Sequence, residues 1–222
     1  MSLGAVIQAR MGSTRLPGKV LKPIGGRPLL GHILSRLGAL KNIASIVVAT
    51  TELPQDDTIA AFCSERRCGL FRGSEENVLG RFVACAERFG FSRVIRLTGD
   101  NPFTDIEELD RLIDLHRDSE AAFAHSLDAL PVGVGAEIFT RDALEQSLRE
   151  ADQPHHFEHL DEVALEHPER YRTVTLEVPT LKRRPDIRLT IDTEEDYLRA
   201  CALVRGAENR DLATEDFISR LC

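Results

Sequence analysis

The sequence lacks the features that mark several large classes of protein. Its 222 residues include 28 Lys and Arg against 36 Asp and Glu, a net charge of −8, so no positive excess attracts nucleic acid or an anionic membrane. No apolar run approaches the about 20 residues that a membrane-spanning helix needs. Residues 1–7 lack the basic region and long apolar run of a secretory signal. We therefore expect a cytoplasmic protein that binds neither nucleic acid nor a membrane.

The sequence also lacks the cysteine pattern of a disulfide-bonded protein. The five cysteines show neither CxxC spacing nor the pattern of a disulfide framework, and they are Cys63, Cys68, Cys85, Cys201 and Cys222. An odd number without a framework is typical of a reduced compartment, and we expect free, mostly buried thiols.

The first half of the sequence shows a regular alternation of strand and helix patterns. Short β-branched apolar runs predict strands at 5–9, 45–50 and 93–97. Apolar residues at helical spacing predict helices from 28, over 57–67 and over 76–89, and a further helix follows a cap at Asp105 with Glu108 three residues on. Such alternation predicts an α/β fold with a mostly parallel sheet and helices on both faces.

The second half is less regular. Strands are predicted at 121–125, 136–139, 172–178 and 188–192, helices at 140–150 and 157–166, and a long final helix after a cap at Thr193. No repeat, low-complexity tract or linker interrupts the chain. We therefore predict one domain over residues 1–222, with a mixed sheet in its second half.

The loop after the first predicted strand, Gln8 to Lys19, concentrates cations, small hydroxyl residues and glycines where a doubly wound sheet binds ligands. Five residues separate Gly12 from Gly18 and Val20 follows the lysine, which excludes a Walker A loop; the spacing of a dinucleotide fingerprint is also absent. A basic loop is often only solvated. Here its place after a buried strand of an acidic protein favours anion binding.

Residues 7–21, IQARMGSTRLPGKVL, resemble the signature of the cytidylyltransferases that make CMP-linked sugar acids, most of all the spore-coat polysaccharide branch. Later segments match in order over nearly the whole chain. The resemblance implies a nucleotide-diphospho-sugar transferase-like fold, with a nucleotide half of about residues 1–120 and a sugar-binding and dimerisation half of about residues 121–222. It also implies transfer of CMP from CTP to a sugar or sugar acid with release of pyrophosphate, in surface polysaccharide biosynthesis by a Mg²⁺-dependent homodimer.

Two aspartates are candidates for the metal site. Asp100 follows the predicted strand at 93–97, and Asp192 ends the predicted strand at 188–192. Mg²⁺ commonly takes one or two carboxylates together with substrate phosphates. The resemblance assigns both aspartates to the metal, whereas the alternatives are a turn at Asp100 and a favourable helix N-terminal charge at Asp192. Without a cation we expect the two carboxylates to repel each other and one pKa to rise.

The resemblance implies roles for further residues. Arg10, Lys19 and Asp100 are the expected catalytic residues, with Arg15 and Lys19 on the β- and γ-phosphates of CTP. The expected nucleotide-binding residues are Gln8, Ala9, Arg10, Met11, Gly12, Ser13, Arg15, Lys19, Arg72, Arg81 and Thr98. The expected acceptor-binding residues are Asn101, Glu137, Glu158 and His159. Relatives often have an acidic residue where this chain has Val134 or Gly135, which leaves the identity of the sugar open.

Three alternatives remain. His155, His156 and His159 could ligate zinc, but the segment lacks the set of four ligands of a closed site, and we favour a substrate or dimer contact for Glu158 and His159. A glycosyltransferase of related fold would often carry a DxD motif, whereas this chain has Asp100 as a single carboxylate there. An inactive nucleotide-binding module would not need the full set of basic and acidic residues that this chain retains.

Overall fold

Strands and helices alternate along the computed structural model, which describes residues 2–208 and 210–221. Met1 and Cys222 therefore lie outside the described residues. The strands are β1 Leu3–Gln8, β2 Pro23–Ile24, β3 Arg27–Pro28, β4 Ser45–Thr51, β5 Gly69–Gly73, β6 Arg93–Thr98, β7 Phe123–His125, β8 Glu137–Thr140 and β9 Thr173–Thr175. The helices are α1 Leu29–Leu37, α2 Asp57–Arg66, α3 Val78–Phe89, α4 Ile106–Ser119, α5 Arg141–Glu150, α6 Pro154–Glu158, α7 Glu162–Glu166, α8 Glu194–Leu203 and α9 Thr214–Leu221.

Seven of these strands form one sheet in the order β5-β4-β1-β6-β8-β7-β9. β1 pairs in parallel with β4 and β6, and β5 pairs in parallel with β4. β8 runs antiparallel to β6 and β7, and β9 runs parallel to β7. The predicted mostly parallel sheet with a mixed second half is confirmed. Because β5, β4, β1 and β6 all end at one edge, the loops that follow them meet there.

Apolar side chains pack on both faces of this sheet, as predicted. Ala5 and Ile7 of β1 belong to the larger cluster, which includes residues of α1 and α4. Val6 points to the opposite face because side chains alternate along a strand, and it belongs to a second cluster with Phe82 of α3 and Leu144 of α5. Full burial of such a side chain contributes about 1.5–3 kcal/mol.

The predicted helix caps are also present. The Asp105 carboxylate accepts the amide N–H of Glu108 at 3.0 Å, at the start of α4. Thr193 Oγ1 accepts the amide N–H of Asp196 at 3.2 Å, and the Asp196 carboxylate accepts that of Thr193 at 3.0 Å. These local signals are sufficient to begin α4 and α8.

Several predictions of local structure are wrong. The helix predicted at 157–166 is two short helices, α6 and α7, because His159 has extended backbone angles that let Leu160 pack in the core. The predicted final long helix ends at Leu203, and α9 follows as a separate element. The predicted strand at 172–178 shortens to β9, and β5 at Gly69–Gly73 is not among the predicted strands.

The segment at 188–192 is extended but is not a strand of the sheet. A single bridge joins Arg188 to Val132. Leu189 then donates its N–H to the Val132 carbonyl at 2.8 Å, and Ile191 donates to the Asp100 carbonyl at 2.9 Å. These bonds to loops, rather than a neighbouring strand, hold Asp192 at the edge of the sheet.

Two expectations from composition concern thiols and membranes. Cys63 and Cys85 are buried, Cys68 and Cys201 are partly exposed, and all four of these described cysteines are free. Within residues 2–208 and 210–221, no helix is long and apolar enough to cross a bilayer.

Candidate active site

A cavity of about 740 Å³ opens at the edge where the parallel strands end. The loop after β1 forms one wall, the end of β6 forms the floor, and residues of α6 and the segment before α8 close the other side. The predicted site residues that line it are Gln8, Ala9, Arg10, Ser13, Arg15, Lys19, Arg81, Thr98, Asp100, Asn101, Glu158, His159 and Asp192. The cavity therefore brings together most of the residues that the sequence placed in a site.

Three residues predicted to bind the nucleotide do not line this cavity: Met11, Gly12 and Arg72. The Arg72 prediction is not supported by its contacts, because its guanidinium donates to the Thr51 carbonyl at 2.9 Å and to Asp57 at 2.6 Å. It thereby ties β5 to the start of α2. Met11 and Gly12 shape the loop instead. A Cβ at Gly12 would lie 2.8 Å from the side-chain nitrogen of Gln55.

Asp56 is a residue of this region that the sequence analysis missed. Its side chain is fully buried and accepts the amide N–H of Met11 at 2.7 Å and that of Thr51 at 3.3 Å, together with the Thr51 hydroxyl. It therefore fixes the signature loop to the end of β4. No local signal marks it, because an acidic residue just before a helix ordinarily reads as a cap.

Lys19 is the centre of the site. It begins a 3₁₀ turn after Gly18, whose φ of 68° favours glycine, and it is only 8% exposed. Its Nζ lies 2.9 Å from Asp100 Oδ2, 2.9 Å from Asp192 Oδ1 and 3.0 Å from the Ile191 carbonyl. The two carboxylate oxygens are thus at most twice 2.9 Å apart. The fold brings together the two aspartates that the sequence selected.

The expected repulsion between these carboxylates is relieved by positive charge. Burial alone would raise the pKa of Asp192, but the hydrogen bond and charge of Lys19, with the charges of Arg15 and Arg188, outweigh it and hold that pKa below its usual range. Arg15 Nη2 lies 2.9 Å from Asp192 Oδ1. Asp100 in turn accepts the Thr98 hydroxyl. The predicted repulsion did not allow for the ammonium group of Lys19, which lies between the two carboxylates.

Two further cations face the cavity. Arg10 Nη1 lies 2.9 Å from Glu75 Oε1, with about half of its side chain exposed. Arg81 is buried and donates to the Ser74 carbonyl; burial, followed by the charge of Arg10, lowers its pKa to about 10, so it is charged at neutral pH. These charges create an environment that favours a polyanion such as a nucleotide triphosphate.

A smaller cavity of about 310 Å³ continues from the larger one, sharing Arg96, Thr98 and Asn101 with it. Glu137 and the loop at 131–135 complete its wall. Burial raises the pKa of Glu137 in spite of the attraction of Arg96. The sequence analysis missed Arg96, whose signal is a charged residue between the apolar Ile95 and Leu97 of β6.

The histidine segment has a different arrangement from the one considered for zinc. His155 Nε2 and His156 Nε2 lie 2.9 Å and 3.0 Å from the Glu166 carboxylate, whereas His159 lines the large cavity. The amides of residues 152 and 153 donate to His156 Nδ1 at 3.2 Å, so Nε2 carries the proton in the neutral ring. A proton on Nε2 disfavours metal ligation there. The cluster joins α6 to α7.

Comparison with known proteins decides the family. A family model described as Cytidylyltransferase matches residues 5–218. The chain belongs to the cytidylyltransferase family. Spore coat polysaccharide biosynthesis protein SpsF of Bacillus subtilis (strain 168) is 41% identical over 222 residues, covering 97% of this chain and 92% of that protein. The 3-deoxy-manno-octulosonate cytidylyltransferase of Yersinia enterocolitica serotype O:8 is 32% identical over 147 residues, covering 65% of this chain and 57% of that protein.

Solved structures agree with this family and fold. A cytidylyltransferase from Leptospira borgpetersenii serovar Hardjo-bovis superposes with a TM-score of 0.92 at 32% identity, covering 100% of this chain and 94% of that one. A CTP complex of CMP:2-keto-3-deoxy-manno-octonic acid synthetase shares the fold, with a TM-score of 0.70 at 20% identity, and covers 92% of this chain and 98% of that one. The predicted family and fold are confirmed.

Proposed function

We propose that this cytidylyltransferase transfers CMP from CTP to a sugar or sugar acid, releases pyrophosphate, and acts in the cytoplasm in the biosynthesis of a surface polysaccharide. The observation that carries the proposal is Lys19 held between Asp100 and Asp192 at the edge of the parallel strands, with the cations of the signature loop beside it. The similarity to the spore coat protein supports the biosynthetic role.

The chemistry is a displacement at phosphorus. The acceptor hydroxyl attacks the α-phosphorus of CTP, the bond from that phosphorus to the oxygen of the β-phosphate breaks, and pyrophosphate leaves. Arg15 and Lys19 are suited to hold the β- and γ-phosphates, and Arg10 to hold the α-phosphate, because guanidinium and ammonium groups neutralise phosphate oxygens. The chain thus contributes position and charge, with no covalent intermediate.

The residues present also fit a divalent cation. The carboxylates of Asp100 and Asp192 flank the Lys19 ammonium, so they already surround a positive charge. Two carboxylates are the ligands that Mg²⁺ commonly takes from a protein. These two residues would hold Mg²⁺, which when bound supplies additional positive charge next to the reacting phosphates. Because Lys19 occupies the same oxygens, a cation and the lysine compete for them.

A coupled pyrophosphate assay with CTP, Mg²⁺ and a panel of sugars and sugar acids tests the proposal, with the product identified by mass spectrometry. Pyrophosphate release from CTP also distinguishes it from a glycosyltransferase, which consumes a nucleotide sugar. Asp100→Asn and Asp192→Asn should each nearly abolish turnover, and the double variant should be little worse, because the two act as one unit. Asp118→Asn, at an exposed aspartate paired with Arg117 on α4, is the matched control.

Full activity in either site variant, or nucleotide binding without product across the panel, would contradict the proposed reaction. The second outcome would favour the inactive nucleotide-binding module.

We also propose a symmetric homodimer, the commonest arrangement among soluble oligomers. The segment from 157 to 171 departs from the regular α/β alternation, and Leu165 on α7 is 51% exposed. Light scattering at micromolar concentration should give twice the mass of the chain, and a Leu165→Asp variant should shift it towards monomer. A monomer across the concentration range would overturn this assembly.

A further inference from the structure

The C-terminal end of α2 brings two cysteines together. The helix ends in a Schellman motif, in which the N–H of Cys68 donates to the Cys63 carbonyl at 3.2 Å and the N–H of Arg67 donates to the Ser64 carbonyl at 3.3 Å. Side chains at the two ends of the longer bond commonly pack against each other in this motif. The Cys68 thiol also donates to the Cys63 carbonyl oxygen at 3.8 Å, and both thiols are free. The fold therefore forms a pair of neighbouring thiols.

The two thiols differ in exposure and in acidity. Cys63 is 1% exposed and belongs to the core, whereas Cys68 is partly exposed and lines a cavity. A hydrogen bond between the thiols lowers the pKa of Cys68, although burial acts in the opposite direction. The same hydrogen bond, together with burial, raises the pKa of Cys63. Because the thiolate is the nucleophile, Cys68 is suited to attack first and Cys63 to attack second.

The cavity beside Cys68 has a volume of about 670 Å³, within the range of small-molecule sites. Ser45 and Gly69, the first residues of β4 and β5, line it, so it lies at the edge of the sheet opposite the candidate active site. No described residue lines both cavities. Its apolar lining residues are Leu34, Leu37, Leu40, Ile43 and Ile46. This cavity is therefore separate from the site of the displacement at phosphorus.

The other lining residues give this cavity a positive charge. Arg27, Arg66 and Arg67 line it together with Cys68. Arg27 forms an ion pair with Asp211 at 2.7 Å, whereas Arg66 and Arg67 form none with any residue in the described part of the chain. Two uncompensated guanidinium groups in a protein of net charge −8 favour an anion here, and they also stabilise a thiolate.

Arg67 has a backbone conformation that an arginine adopts only at a cost. Its φ is 56° and its ψ is 34°, the left-handed region that glycine usually occupies at this position of a Schellman motif. Glycine would end the helix with less strain, so the turn alone does not explain the arginine. Strained residues of this kind are concentrated at functional sites. Contact of the guanidinium with a ligand in the cavity would explain its presence.

We propose that Cys68 and Cys63 form a redox-active pair that reacts with the disulfide of a small anionic thiol bound in this cavity. The Arg66 and Arg67 guanidinium groups bind the anionic groups of the ligand beside Cys68. In a reducing compartment such protein disulfides are usually transient and redox-sensing, which agrees with the free thiols of this structure.

The reaction is two thiol–disulfide exchanges. The Cys68 thiolate attacks one sulfur of the small disulfide, whose S–S bond breaks, and the thiolate that leaves takes a proton from water. Cys63 then gives its proton to solvent and attacks the Cys68 sulfur. The Cys63–Cys68 bond forms and the second small thiolate leaves. The two protein thiols are thereby oxidised to one disulfide, and one small disulfide is reduced to two thiols.

Mass spectrometry of the full-length protein tests the proposal, with glutathione disulfide as the probe and no nucleotide present. Peptide mapping without reduction identifies which cysteine reacts. Wild type should form the Cys63–Cys68 disulfide and keep no glutathione. Cys63→Ala should keep one glutathione on Cys68, because the second exchange is lost. Cys201 is the internal control, since it is also partly exposed but does not line this cavity, and it should react roughly tenfold more slowly than Cys68.

A second series tests the arginines. Both probes react with the same thiolate, so the ratio of the rates with glutathione disulfide and with the neutral hydroxyethyl disulfide isolates the charge of the cavity. In a Cys63→Ala background, Arg67→Gly combined with Arg66→Gln should lower this ratio roughly tenfold. Glycine suits the turn, so the variant should fold. Glu120→Gly is the matched control, because Glu120 is the other described non-glycine residue at positive φ and lies outside the cavity.

Three results would overturn the proposal. The first is the absence of glutathione from Cys68 in Cys63→Ala, and the second is a wild-type protein that keeps glutathione without forming the Cys63–Cys68 bond. The third is an unchanged rate ratio in the arginine variant, which would exclude recognition of an anionic thiol. Because no nucleotide takes part, the outcome is independent of the proposed transfer of CMP.

Discussion

Replacing Lys19 by methionine removes the positive charge between Asp100 and Asp192 and keeps the length of the side chain. The Nζ makes three contacts of 2.9, 2.9 and 3.0 Å, and the lysine side chain is 10% exposed. Removal of one partner from a buried ion pair typically destabilises by about 3–5 kcal/mol. Because Arg15 and Arg188 also contact Asp192, we expect the lower end of that range, about 3 kcal/mol.

The same substitution should create a divalent cation site in the free protein. A cation that enters the wild-type site must displace an ammonium whose charged hydrogen bonds are worth about 1.5–3 kcal/mol each. If the cation no longer has to break one such hydrogen bond, its affinity for the two carboxylates should rise roughly tenfold to hundredfold. Mn²⁺, a spectroscopic substitute for Mg²⁺, should therefore bind Lys19→Met at least tenfold more tightly than wild type, and should restore its stability.

The assays are urea unfolding with and without Mn²⁺, and titration of free Mn²⁺ by electron paramagnetic resonance. Lys22→Met is the matched control. Lys22 forms an ion pair with Glu194 at 3.1 Å, and the side chains of Lys22 and Glu194 are 31% and 59% exposed. Such surface pairs contribute about 0–1 kcal/mol, and the control should bind Mn²⁺ as wild type does. Equal Mn²⁺ affinity and equal stability in Lys19→Met and wild type would refute the competition between the lysine and the metal.

The remaining predictions concern acid stability, the signature loop and the phosphates. The folded pKa of Asp192 is depressed, so its stabilisation is complete above the unfolded pKa of about 3.9 and is lost as pH falls through the lower folded pKa. Asp192→Asn should therefore flatten the loss of unfolding free energy below about pH 4 in urea titrations, and an unchanged slope would count against this effect. Asp56→Ala should lower the free energy of unfolding by about 1–3 kcal/mol, since it leaves the Met11 amide unpaired, and increase hydrogen exchange in the signature loop. Arg15→Ala should weaken CTP binding in calorimetry by up to about 3 kcal/mol while CMP, which lacks the β- and γ-phosphates, keeps its affinity; equal losses would exclude Arg15 from those phosphates.

Local sequence signals were sufficient where a structure depends on neighbouring residues. Asp105 and Thr193 each accept a hydrogen bond from an amide three residues further along the chain. The sequence motif therefore contains both partners of the contact. β5 shows the limit of such signals. It is five residues bounded by glycines and is extended because β4 lies beside it. The segment at 188–192 shows the reverse case. Its β-branched residues favour a strand, but its backbone forms hydrogen bonds with loops and does not join the sheet.

The sequence by itself determined the family, the mostly parallel sheet and the edge of the sheet at which the site lies. The long signature and the alternation of strands and helices are both patterns of neighbouring residues along the chain. Tertiary structure decided which charges meet. In the sequence, Lys19 lies 81 residues from Asp100 and 173 residues from Asp192, and Arg96 lies 41 residues from Glu137. Strand order and loop geometry set those distances. A linear pattern names the charged residues, but only the folded sheet shows which oxygen each cation neutralises and which oxygens it leaves for a ligand.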